Sequence, residues 1–222
     1  IHLLLLPDGN QAQVDMFGHT LVFLRVDNTS FIYGLIFLIA TTLNVIYGWH
    51  EPDPVQQVSS LIYAGAGVGA VFVGDLISLF IFWELTAIAS VFLIWASRNE
   101  RAFRAGMRYL VIQIGSGVIL LAGVILHYQA TGSIAFDNLG LVSFPTALIF
   151  IAFGIKCAFP LLHNWLQDAY PEATVVGTVV LSAFTTKLAI YALARGFPGT
   201  DILIVIGATM AAFPIFYAVI EN

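Results

Sequence analysis

Seven long apolar runs divide this sequence, at roughly 31–49, 58–73, 76–96, 108–128, 145–163, 174–194 and 201–219. Most approach the ~20 residues that a helix needs to cross the hydrocarbon core of a bilayer. Composition excludes a water-soluble alternative. Charged residues make up only 9% of the 222 positions and apolar residues 59%, whereas a soluble domain carries about a quarter charged residues. So few charges cannot cover a water-facing surface. The expected fold class is an all-α polytopic transmembrane bundle of about seven spans. The second run is short and rich in small residues, with Gly65 and Gly69 in a G-x-x-x-G pair suited to close helix packing.

The segment before the first run, QAQVDMFGHTLVFLRVD, alternates weakly and reads as a surface hairpin within an N-terminal region 1–30, ahead of a membrane domain 31–222. The chain opens abruptly on IHLLLLP and ends on FYAVIEN, where a helix reaches the interface. Both ends suggest a piece of a longer subunit, truncated at the C-terminus. Orientation follows from Arg98, Arg101, Arg104 and Arg108, which cluster between the third and fourth runs. The positive-inside rule puts that turn in the cytoplasm. Counting outward, the N-terminal hairpin and FDNLGLVSF lie outside, and WHEPDPVQQ and NWLQDAYPEA lie inside. A multi-pass protein of a cell inner membrane is expected.

Several function classes drop out. There is no basic patch or nucleic-acid motif. The lone Cys157 excludes an intrachain disulfide and a cysteine metal cluster, and the five histidines are scattered. GAGVGA at 65–70 fits a dinucleotide fingerprint but lies inside a membrane run, with no strand–turn–helix unit to hold a pyrophosphate. No cofactor and no enzymatic site are expected.

The informative residues are the ionisable ones at depth. The only two lysines, Lys156 and Lys187, fall in the central third of a run, and Glu84 lies near the middle of the third. Each costs about 2.5–3.5 kcal/mol at a helix centre, so partners must offset them. Glu84 with Lys156 is the obvious pair. Lys187 is then left over, and a buried lysine without a partner favours its neutral amine. Two bases competing for one carboxylate could act as a proton switch, or the pair could simply hold helices together. Pro160, four residues after Lys156, removes a helical N–H and should interrupt the helix at the lysine. Broken helices at mid-membrane are tolerated where they line a cavity or ion path. His163, two helical turns or ~10 Å beyond Lys156, could pass protons to it from the cytoplasm. Asp168 and Glu172 read as solvated loop acids, and Trp49, Trp83, Trp95 and Trp165 mostly as interface anchors. Gln113, Ser116, Thr185 and Thr186 could line a wet path, though interhelical hydrogen bonding is the plainer role.

Three segments carry a family resemblance. GDLISLFIFWELTAIASVFLIW, with Asp75 and Glu84, resembles the fifth helix of antiporter-like membrane subunits. GIKCAFPLLHNWLQDAYPEA resembles their broken seventh helix and following loop, and LSAFTTKLAIYALAR, with Lys187, Tyr191 and Arg195, their eighth. The family comprises large subunits of Mrp-type cation/proton antiporters, antiporter-like subunits of respiratory complex I, and membrane-bound hydrogenases. The wording TTKLAIYALAR is nearer the D-type Mrp subunit. The resemblance covers about residues 27–222. It implies that Glu84 is the ion-pair glutamate, Lys156 its partner and Lys187 a bridging lysine, with 58–195 as the first copy of an inverted repeat. It also implies proton translocation coupled to sodium or another monovalent cation, in a complex with other membrane subunits. A proton-pumping subunit of a complex I-type NADH–quinone oxidoreductase or a hydrogenase, and a non-transporting scaffold subunit, are the alternatives. The chain departs from the family pattern at Ala158, Gln167, Tyr170 and Thr174, and Pro160 sits one position early.

Overall fold

Six helices of the chain start at a residue whose side chain accepts a hydrogen bond from the first turn. Asp27, Asp53, Asp75, Asn99, Ser143 and Thr174 each cap a helix in this way. Four N–H groups at a helix start lack an intrahelical acceptor, and a short polar side chain satisfies one of them. The helices so defined are α1 (Asn28–Tyr47), α2 (Pro54–Phe72), α3 (Leu76–Trp95), α4 (Glu100–Thr131), α5 (Phe144–Cys157) and α7 (Val175–Gly196). A short α6 (Asn164–Ala169) precedes α7, and α8 (Ile202–Ile220) follows it. The computed structural model describes residues 6–16 and 18–220, without the side chains of 213, 214 and 216–220. The first five residues and positions 221–222, on which the reading as a truncated chain partly rests, lie outside the described residues.

By length and composition α1, α2, α3, α4 and α7 are able to cross a membrane. Two boundaries move from expectation. The second span is four residues longer at its start, because Asp53 and Pro54 form a proper cap and first turn. The fifth ends at Cys157 rather than 163, because the chain turns out of the helix there.

The helices α2, α3, α4, α5 and α7 close a ring in which each packs on the next and α7 returns to α2. Helix α1 lies outside, over the seam between α2 and α7. The core is aromatic: Tyr63, Trp83, Phe153, Phe184 and Tyr191 are all fully enclosed. Close approach falls on glycines other than the expected pair. A Cβ at Gly67 would meet Phe184 at 3.1 Å and one at Gly69 would meet Phe82 at 2.5 Å, while Gly65 faces open space.

Charged residues fasten both ends of the ring. At the arginine-rich end, Arg98 pairs with Asp53 at 3.0 Å, Arg101 with Glu172 at 2.6 Å, and Arg108 with both oxygens of Asp168 at 2.7 Å. At the opposite end a hairpin of β1 (Gly9–Met16) and β2 (His19–Val26) lies against the bundle. Asp75 accepts the Val22 N–H at 2.7 Å, and Arg25 bonds Asp137 at 2.9 Å. Arg195 donates to both oxygens of Asp27 at 2.7 Å, tying the end of α7 to the start of α1.

Candidate functional site

Lys156 occupies the last turn of α5 and has no solvent exposure. Its Nζ donates to the Trp83 carbonyl at 2.7 Å and to Thr86 Oγ1 at 2.8 Å, and stands 4.3 Å from the Trp83 ring centroid. The Thr86 hydroxyl itself donates to the Trp83 carbonyl at 2.7 Å. The amine is therefore solvated by α3: a carbonyl dipole, a hydroxyl and an aromatic face replace water.

Glu84 does not hold this lysine. The two are close enough to interact electrostatically, yet among the described residues they form no ion pair. The expected direct pair is thus not made. Successive helical residues point about 100° apart, and Trp83 takes the face toward α5 while Glu84 turns to α4. There its carboxylate lies against Gly117, where any Cβ would overlap it. Glu84 Oε1 is buried without a hydrogen-bond partner.

A second polar residue lies in the same layer. Gln113 has no exposure, and neither its amide oxygen nor its nitrogen has a partner. The antiparallel register of α3 and α4 places it. Tyr109 Oη meets Ser90 Oγ at 2.8 Å, Trp83 Nε1 donates to Ser116 Oγ at 3.2 Å, and Glu84 meets Gly117. Residues four apart on a helix share a face, so Gln113 sits between Tyr109 and Gly117, opposite the Thr86–Ala87 turn. Interhelical bonding holds for Ser116 and Thr185, the latter bonded to Tyr63 Oη. It does not hold for Gln113.

Lys187 lies mid-helix in α7, but its side chain opens on the outer surface of the ring, with Nζ donating to the Ser182 carbonyl at 2.7 Å. It is not buried, contrary to expectation, because the rotation of α7 turns Phe184 and Leu188 inward instead. Its electrostatic neighbour is Cys157, the residue after Lys156.

The break after Lys156 comes from the backbone. Ala158 takes a left-handed φ of 62° and closes α5 through its N–H to Gly154 and Ile155, and Leu161 takes 72°. The chain thus leaves the helix two residues before Pro160. His163 stands at the start of α6, so the two-turn spacing that put it on the Lys156 face does not apply: residues 158–163 are not helical.

Other roles shift too. Asp168 and Glu172 are the ion-pair partners of Arg108 and Arg101, and they hold the segment after the break onto α4. Trp83 is fully buried and Trp165 is 2% exposed, its Nε1 donating to the Ile155 carbonyl, so neither is an interface anchor; Trp49, at 81%, is. Sequence reasoning missed the tyrosines. Tyr63 and Tyr170 both donate to the Leu181 carbonyl, at 3.2 and 3.0 Å, bridging α2, α7 and the post-break turn.

Residues 73–220 match the family described as NADH:quinone oxidoreductase/Mrp antiporter, TM. The chain belongs to this family. Relatives lie on both of its branches. Subunit M of the NADH-quinone oxidoreductase of Escherichia coli (strain K12) is 29% identical over 211 residues, covering 83% of this chain and 41% of that protein. A Na(+)/H(+) antiporter protein of Alkalihalophilus pseudofirmus is 31% identical over 189 residues, covering 77% of this chain and 23% of that protein. The chain therefore spans well under half the length of these relatives. Among solved structures, the Mrp complex from Dietzia sp. matches with a TM-score of 0.64 at 25% identity, over 78% of this chain and 35% of that one. An archaeal membrane-bound sulfane sulfur reductase matches at 0.70 and 26%, over 79% and 38%. Respiratory complex I from Thermus thermophilus shares the fold, with a TM-score of 0.73 at 18% identity over 87% of this chain and 44% of that one. The chain is a membrane protein of the antiporter-like family, on the pattern of the Mrp and complex I branches alike.

Proposed function

We propose that this chain moves protons through the membrane within a multi-subunit complex, in exchange for sodium or another monovalent cation, and that Lys156 is the central relay group. The observation that carries this reading is a lysine without solvent exposure, held by the Trp83 carbonyl and Thr86, with a carboxylate that lacks a hydrogen-bond partner on the neighbouring turn. An ion pair that merely glued helices would be closed. Here the two charges are parked apart, Lys156 on α3 and Glu84 against Gly117.

Movement of Glu84 toward Lys156 favours the ammonium; withdrawal favours the neutral amine and releases a proton. Gln113 offers one donor and one acceptor in the layer between them and carries the link through bound water. Cys157 turns the opposite way from Lys156, toward Lys187, so the break in α5 brings the two lysines' surroundings together. Lys187 receives the proton on the outer face of the ring, and His163, after the break, serves exchange with the arginine-rich side, read as cytoplasmic. The remaining half of the path lies in membrane segments beyond the stretch matched here.

A second reading is supported by the likeness to subunit M of a quinone oxidoreductase. In it the same residues pump protons and the redox chemistry belongs to partner subunits. Proton uptake by inverted vesicles carrying the full complex tests both. Addition of sodium drives uptake in the antiport reading, and NADH oxidation drives it in the pump reading. Full transport by Lys156→Ala under either driving force would refute the relay.

A further inference from the structure

At the arginine-rich end, where α1 stops and α2 begins, a cleft of about 220 Å³ opens between α1, α2 and α7. Its polar groups have an unusual balance. Gln56 is 1% exposed, and its amide oxygen accepts from Thr174 Oγ1 at 2.6 Å. That hydroxyl also accepts the Gly177 N–H at 2.9 Å, so its proton is spent on Gln56 and the Gln56 amide nitrogen is turned away as a donor. Gln56 Nε2 has no acceptor. Neither has Asn44 Nδ2, on the other wall of the cleft and also buried. Two enclosed N–H₂ groups without acceptors cost several kcal/mol in sum if left so, about 1–3 kcal/mol each.

The third polar group is an acid. Glu51 lines the same cleft, and among the described residues no cation pairs with it; the nearby Arg98 is engaged by Asp53. The rest of the wall is apolar and faces outward, with Val45 41%, Leu61 55% and Trp49 81% exposed. An exposed tryptophan at the end of a membrane helix marks headgroup depth.

We infer that this cleft is a binding site for a zwitterionic aminophospholipid. The phosphate oxygens accept from Asn44 Nδ2 and Gln56 Nε2, the ammonium faces Glu51, and the acyl chain runs past Leu61 and Val45. An anionic headgroup without an amine satisfies the amides but sets its charge against Glu51, so the site discriminates against it. The inference needs only the membrane placement of the chain and stands or falls apart from the proton relay.

The test is photocrosslinking in the full complex, reconstituted with phosphatidylethanolamine carrying a diazirine on one acyl chain. Crosslinks are expected on peptides spanning 41–64. Asn44→Leu should lower their yield about tenfold, the effect of one lost hydrogen bond to a charged group. Glu51→Gln, an exposed-loop change that leaves packing intact, should keep the yield but let phosphatidylglycerol compete as well as phosphatidylethanolamine. Equal competition by both lipids in the unaltered protein, displacement by inorganic phosphate alone, or crosslinks that do not respond to either substitution would overturn the assignment.

Discussion

Lys156 and Glu84 sit one helical face apart: the lysine's Nζ donates to the carbonyl of Trp83, the residue before Glu84, while the Glu84 carboxylate turns to Gly117. The acid and the base therefore share a turn of α3 without sharing a hydrogen bond. Glycine at 117 is what makes the separation possible, since it leaves room for a carboxylate on the wall of α4.

Gly117→Ala should push Glu84 out of its berth. Overpacking of this kind costs about 1–3 kcal/mol. The cost should largely vanish in the double variant Gly117→Ala with Glu84→Ala, because the overlap needs both side chains. Thermal unfolding of the four detergent-solubilised proteins checks it, and additive losses would show that Glu84 is not what fills the space.

Lys156→Met keeps the length of the side chain and removes the charge. Replacement of a buried ionisable group by an apolar one of similar volume is often neutral or stabilising. We expect an unchanged or raised unfolding temperature together with at least a tenfold loss of proton-coupled transport. Retained transport with lowered stability would assign the lysine to structure alone.

Gln113→Leu removes an amide whose donor and acceptor both lack partners. If bound water links it to Glu84 and Lys156, the variant should fold normally and transport more slowly, with a changed solvent isotope effect. Gln113→Glu should keep part of the activity, since it retains an oxygen acceptor. Wild-type rates in Gln113→Leu would remove it from the path.

Arg108 and Asp168 join α4 to the segment after the break across 60 positions of sequence. Arg108→Gln should raise the rate of limited proteolysis within 158–174. High salt should have a similar effect on the unaltered protein, since exposed ion pairs are screened. Charge reversal of both residues, Arg108→Asp with Asp168→Arg, should restore protection.

Much of the architecture was legible in the sequence because a bilayer restricts the options. Apolar runs and the capping residues Asp27, Asp75, Asn99 and Ser143 mark the helices before any tertiary contact is known. The depth of Lys156 follows in the same way. The direction in which a side chain points did not follow, because it depends on the rotation of each helix against its neighbours. Lys187 is mid-span as expected, yet that rotation puts it outside the ring. Trp83 and Trp49 are the same residue type, and only packing makes one a lysine's solvation shell and the other an anchor. Pairs such as Arg101–Glu172 join distant stretches that only the fold brings together. The break was expected from Pro160, but the left-handed turn falls on Ala158, a residue with no propensity for it.

The ion pairs at both ends of the ring also bear on tempo. Arg195 and Asp27 fix α7 to α1 at one face, and Arg108 and Asp168 fix the post-break segment to α4 at the other. Helices held at both ends resist rocking, which elsewhere runs on microsecond-to-millisecond timescales. What stays loose is the interior: a carboxylate with one oxygen unsatisfied and an amide with no bonds at all. The clock of such a machine is set by side-chain swings and proton hops inside a stiff casing, so its turnover should respond more sharply to isotope substitution than to the viscosity of the membrane around it.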